Sequence, residues 1–140
     1  MSVGVQYAGD FNLEEALLIS PTGNVTDLLT DVVIVEMNIF EDMFKSSITG
    51  SIIVTDTNDI VSKIPIVGQE YLTLKIRTPT LTLEKDIIDF TENPFAVHKI
   101  SLRRELTTGG QTYELKFISQ EAIKNSQRKI SKSYSGNKAN

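Results

Sequence analysis

The chain has 140 residues, 40% of them hydrophobic and 23% charged, with a net charge of −4 and no cysteine. That balance suits one core of ordinary size and excludes a disordered chain, a disulfide framework, a thiol nucleophile and a thiolate metal site. The longest apolar runs, such as Val32-Val33-Ile34-Val35, fall far short of the roughly 20 residues that cross a bilayer as a helix, and the opening Met-Ser-Val-Gly-Val-Gln lacks the basic start and apolar stretch of a signal peptide, so the chain is expected in the cytoplasm or in a particle it joins.

Turn residues recur at short intervals along the sequence, which predicts several short strands. Glu14 to Ser20 is the first, with Leu17 and Ile19 on one face and Ala16 and Leu18 on the other, ending at Pro21-Thr22-Gly23-Asn24. Asp31 to Phe40 is apolar on both sides over Val32 to Val35 and then alternates through Met37 and Ile39. This predicts a strand covered on two faces, either central in a sheet or at an interface. Ile48, Gly50, Ile52 and Val54 share one face of the next strand, where the glycine signals a bulge or a close backbone approach. Asp56-Thr57-Asn58-Asp59 reads as a turn, and Asn58 to Lys63 as a short helical turn whose Ile60, Val61 and Ile64 would plug an open barrel end.

After Pro65 and Gly68, Tyr71 to Thr78 alternates cleanly, with Leu72, Leu74 and Ile76 inward. Leu81 and Leu83 then stand out of phase with Ile88 and Phe90, predicting a bulge or bend near Lys85-Asp86. Ala96 to Leu106 and Gln111 to Ser119 flank Thr107-Thr108-Gly109-Gly110 as a hairpin, with His98, Ile100 and Leu102 on the inward face. The period then turns helical: Ile123, Gln127, Ile130 and Tyr134 predict a helix from about Gln120 to Ser133, with Ser119 as N-cap and Glu121 at the positive end of its dipole. From Gln120 onward, five Lys or Arg stand against Glu121 alone, a local balance of +4 that leaves −8 for the preceding 119 residues. The expected organisation is a mainly β, antiparallel barrel or sandwich domain over 1–119, with a basic helix and polar tail over 120–140.

Enzymatic chemistry does not assemble from these residues. His98, the one histidine, has no serine or carboxylate motif beside it and reads as a structural core residue. The Asp56 cluster lacks the glycine and terminal glutamate of a calcium loop. Glu84, Asp86, Asp89 and Glu92 offer paired carboxylates without aromatic platforms for a sugar, which leaves a glycan-binding or hydrolytic β-domain as the weaker alternative. Gly109-Gly110 has neither the lysine nor the following helix of a phosphate loop, and the basic helix has no interleaved aromatics for nucleic acid. No catalytic residue, cofactor or metal is expected, and no specific nucleic-acid binding or membrane anchor.

Two stretches carry a family resemblance. Ile48-Thr-Gly-Ser-Ile-Ile-Val-Thr-Asp56, followed by Asp59-Ile-Val-Ser-Lys-Ile-Pro-Ile-Val-Gly-Gln-Glu-Tyr-Leu-Thr-Leu-Lys-Ile-Arg-Thr-Pro79, resembles the N-terminal domain of the baseplate central hub protein of contractile-tailed, T-even-like bacteriophages. Tyr113-Glu-Leu-Lys-Phe-Ile-Ser-Gln-Glu-Ala-Ile-Lys-Asn125 is similar to that domain's closing strand and exit helix, and Ile130-Ser-Lys-Ser-Tyr-Ser-Gly136 to its passage into the next domain. Together the matching stretches cover about two-thirds of the chain. Gly50, Asp56, Pro65, Gly68, Glu70, Ser119 and Glu121 are the turn and packing positions that match. The resemblance implies a tail-tube-like β-barrel with a short plug helix and a C-terminal helix. It also implies a virion location in the tail baseplate after synthesis in the host cytoplasm, and a homo-oligomer, a trimer in the family, whose ring joins spike and tail-tube proteins and lets DNA pass. Family members are longer and carry a second barrel, so the 120–140 segment is expected to lead toward such a domain or to end a single-domain relative. Val32, Ile34, Phe40, Ile123, Ile130 and Tyr134 are the candidate interface residues. A β-barrel adaptor of another tail-like or secretion machine fits the same pattern with different partners.

Overall fold

A computed structural model describes residues 10–63, 66–79, 87–129 and 131. In chain order the elements are β1 (Asn12–Ile19), β2 (Val25–Asp27), α1 (Leu28–Asp31), β3 (Val33–Phe40), β4 (Thr49–Asp56), α2 (Ile60–Lys63), β5 (Glu70–Arg77), β6 (Ile87–Asp89), β7 (Phe95–Glu105), β8 (Gln111–Ser119) and α3 (Gln120–Gln127). All strand pairings are antiparallel, in a single sheet of order β2-β1-β5-β7-β8-β4-β3. The short β6 pairs with the far half of β5, beyond the point where β7 leaves it.

Alternation builds the core. Ala16 and Leu18 of β1, Ile52 and Val54 of β4, Leu72 and Leu74 of β5, Phe95 and Val97 of β7, and Tyr113, Leu115 and Phe117 of β8 form one buried cluster, so one face of every long inner strand points to the same interior. Phe95 stands between Phe90 and Phe117 with ring centroids 4.6 and 4.8 Å away, both pairs tilted, an arrangement that adds to simple area burial.

The sheet must roll to make this core. Its two terminal strands, β2 and β3, are neighbours in sequence, joined only by α1 and Val32. In a flat sheet they would stand six inter-strand gaps, roughly 29 Å, apart, whereas the six residue steps from Asp27 to Val33 reach at most about 22 Å fully extended and less through a helical turn. Asp27 caps that turn by accepting the Leu29 amide on Oδ1 at 2.9 Å, and Leu28 and Val32 drop into the core. No strand ladder joins β2 to β3 among the described residues, so the rolled sheet stays open along one seam.

The two glycines of the β7–β8 hairpin take positive φ, 85° at Gly109 and 99° at Gly110, as the predicted turn requires. Gly50 serves a different need. It forms no bulge: a Cβ there would sit 2.6 Å from Phe117 Cε2 and overlap the Asn38 carbonyl oxygen, so β3, β4 and the Phe117 ring approach as they do because residue 50 has no side chain.

Several expectations are corrected. His98 is exposed: Phe95 and Val97 face the core, so alternation turns His98 outward, and the register shift between Val97 and Lys99 then brings Ile100 toward the core out of phase with it. A second irregularity between Ser101 and Arg104, with Leu102 at φ +52°, leaves Leu102 61% exposed instead of inward. Of the two placements open to the strand from Asp31 to Phe40, the central one falls, since β3 ends the sheet, and Val32 belongs to the core beside it. The last helix ends at Gln127, with Arg128 already extended, and Ser119 makes no side-chain cap. Ile64, Pro65, the Leu81-to-Asp86 phase change, Ile130 and Tyr134 lie outside the described residues.

Candidate assembly surface

Of the turn and packing positions singled out in the sequence, Asp56, Glu70 and Ser119 tie segments of the fold together. Asp56 is fully buried at the end of β4; its Oδ1 accepts the Asn58 amide at 2.9 Å and its Oδ2 accepts the Ile60 amide at 2.7 Å, which caps α2. The Tyr113 hydroxyl donates to the same Oδ2 at 3.2 Å. Burial, together with the Asp56 charge, pushes the Tyr113 phenol well above its ordinary value. Next to this pair, Asp59 Oδ1 accepts from Gln111 Nε2 at 3.0 Å and from the Ser62 hydroxyl at 2.9 Å, so α2, with Ile60 buried, is stitched over one end of the sheet.

Glu70 is also fully buried. Its carboxylate accepts three backbone amides, Val67 on Oε1 at 2.7 Å and Gly68 and Gln69 on Oε2 at 2.9 and 3.1 Å. A carboxylate held by three amides of its own turn fixes the turn that opens β5. Ser119 ties β8 to the approach of β4: its hydroxyl accepts the Ile48 amide at 3.2 Å and its own amide donates to the Ile48 carbonyl at 2.8 Å. Glu121 lies exposed in the first turn of α3.

Other polar residues among those described are taken up by local contacts. Among the described residues no group of three or more His, Asp or Glu is placed to hold a metal ion. Asp89 is held below the usual carboxylate range by the Thr91 hydroxyl and amide, which both donate to its Oδ1. Glu114 is lowered likewise by the Ser101 hydroxyl, 2.6 Å away. Each is occupied by its immediate neighbours.

What the described surface presents instead is apolar side chains at one rim. Residues paired across neighbouring strands, Phe40 with Thr49, Thr49 with Ile118, Ile118 with Ala96, Ala96 with Tyr71, and Tyr71 with Ile19, form a continuous row along this rim. Phe40 is 61% exposed, and on the loop that follows it Met43 and Phe44 are 89% and 91% exposed. On the terminal strand β3, Val33 and Val35 point outward while Ile34 packs partly on the core. No residue of α3 is buried; Ile123 is half covered in a groove over Tyr71 and Ala96.

Of the predicted interface residues, Phe40 and Ile123 are thus on the surface of this rim, Ile34 is partly packed and Val32 is internal. Met43 and Phe44 escaped sequence reading because they fall between two strands and share no period with either. The signal available was two large apolar residues inside an otherwise polar Glu41-Asp42-Met43-Phe44-Lys45-Ser46-Ser47 loop. In comparisons with protein-family models, curated proteins and solved structures, the chain has no match.

Proposed function

We propose that this chain is a structural protein of a phage tail baseplate hub, in which copies of a rolled, tube-like β-domain assemble into a ring that connects the cell-puncturing spike to the tail tube and lets DNA pass. The observation that carries this reading is the rim bearing Phe40, Met43 and Phe44 in water: side chains of this size exposed together are costly unless another protein covers them. Three further features support it. The stretches that resemble the hub domain include Gly50, which permits a close strand approach, and Asp56, Gly68 and Glu70, which form turns. The buried carboxylates are used for folding and not for catalysis. The 119 residues before α3 carry −8, which disfavours adhesion to DNA phosphates in a passage.

Size-exclusion chromatography with light scattering, over a range of concentrations and with or without spike and tube proteins, tests the reading. A trimer or larger ring, and binding to at least one of the two partners, is the expected outcome. A chain that stays monomeric throughout and binds neither overturns it.

A further inference from the structure

Deepening that reading, and resting on its premise that copies of the chain associate, we infer that the contact between copies is a head-to-tail insertion of the Met43–Phe44 loop into the groove under α3 of the next copy. The loop is a preformed knob. Asp42 Oδ1 accepts the Phe44 amide at 3.0 Å, the Asp42 carbonyl accepts the Lys45 amide at 2.9 Å, and Lys45 Nζ lies 3.6 Å from the Asp42 carboxylate. The two apolar side chains are therefore held outward on a closed turn, and little ordering remains to be done on binding.

The groove, of about 570 Å³, runs between α3 and the sheet. Pro21, Tyr71, Ala96 and Ile123 supply its apolar walls, and Lys124 and Gln127 its polar edge. Charge matches the two surfaces. The knob segment 41–48 carries a net −1 from Glu41, Asp42 and Lys45, whereas Lys124 is the one charged residue among the described residues lining the groove, and Arg128 and Lys129 follow it. Placement matches them too. The knob follows Phe40 at one end of the cross-strand row and the groove lies over Tyr71 and Ala96 toward its other end, so both are on one rim but on different flanks. A knob on one flank that fills a groove on the other is a heterologous contact, which repeats from copy to copy until a ring closes.

The test uses the full chain with two surface variants, Met43→Ser/Phe44→Ser for the knob and Ile123→Asp/Lys124→Glu for the groove. Unchanged circular dichroism and melting confirm folding, and Lys124→Glu alone replaces the groove variant if the double substitution unfolds. Sedimentation equilibrium is expected to show self-association weakened roughly 30-fold or more in each variant alone. An equimolar mixture is expected to recover association as 1:1 dimers, because one intact knob and one intact groove remain. Variants that associate like the wild type, or a mixture that forms no dimer, overturn this contact while leaving assembly by another surface. A wild-type chain that never self-associates overturns this contact, and one that also stays monomeric with spike and tube proteins and binds neither overturns the ring as well.

Discussion

Replacing Gly50 by alanine isolates the close approach of β3 to β4. Gly50 is not among the glycines with positive φ, so alanine meets no backbone penalty and the whole effect is steric. The added methyl lies 2.6 Å from Phe117 Cε2 and overlaps the Asn38 carbonyl oxygen. Neither neighbour yields easily: Phe117 is fully buried with its ring packed at a tilt against Phe95, and Asn38 sits in the β3–β4 ladder opposite Ser51. Overpacking costs about 1–3 kcal/mol in general, and with a backbone atom and a core ring both obstructed the loss belongs at the upper end, about 3 kcal/mol. For a domain of this size that lowers Tm by roughly 10 °C. Gly23→Ala is the matched control: its φ of +88° costs about 1–2 kcal/mol of strain, but its Cβ would meet nothing within 4 Å. Urea denaturation followed by circular dichroism should rank Gly50→Ala clearly below Gly23→Ala. A Gly50→Ala chain within about 0.5 kcal/mol of wild type would refute the steric account of this glycine.

Asp56→Ala removes a helix cap and strands the buried Tyr113 hydroxyl, for a combined loss of about 2–4 kcal/mol; Tyr113→Phe removes one hydrogen bond and should cost about 1 kcal/mol, so equal losses in urea titrations would contradict the capping role. Because the folded-state pKa of Tyr113 is raised, the unfolded chain ionises first, near pH 10. Its contribution is complete below that value and is lost as pH rises through the higher folded pKa, so melting curves of wild type should fall more steeply above pH 10 than those of Tyr113→Phe. Glu70→Gln puts an NH₂ group among three amide donors and should cost about 1–3 kcal/mol, with faster hydrogen exchange at Val67, Gly68 and Gln69 as its local signature; unchanged exchange there would count against the amide cradle.

Strand faces were legible wherever alternation ran without interruption. Leu72, Leu74 and Ile76 in β5, and Tyr113, Leu115 and Phe117 in β8, point where a period of two puts them. His98 and Leu102 defeat the alternation for one physical reason: each lies at a register irregularity of β7 that puts it out of phase with the inward Ile100, and neither irregularity leaves a mark in composition. The edge position of β3 was hidden as well, since a strand apolar on both sides reads alike whether a neighbour strand or another protein covers it. β2 and α1 had readable cues that were passed over: a hairpin turn at Pro21 to Asn24, then Asp27 standing as N-cap before Leu28-Leu29. The apolar rim was the least legible part, because it depends on which strand ends come together and not on any one segment.

The seam between β2 and β3 gives the domain a mechanical property that a closed cylinder lacks. Among the described residues, widening it breaks no strand ladder and strains the seating of Leu28 and Val32 under the α1 clasp. The body is a split collar around a filled core: its two end strands can part or close while every ladder from β1 round to β3 stays intact.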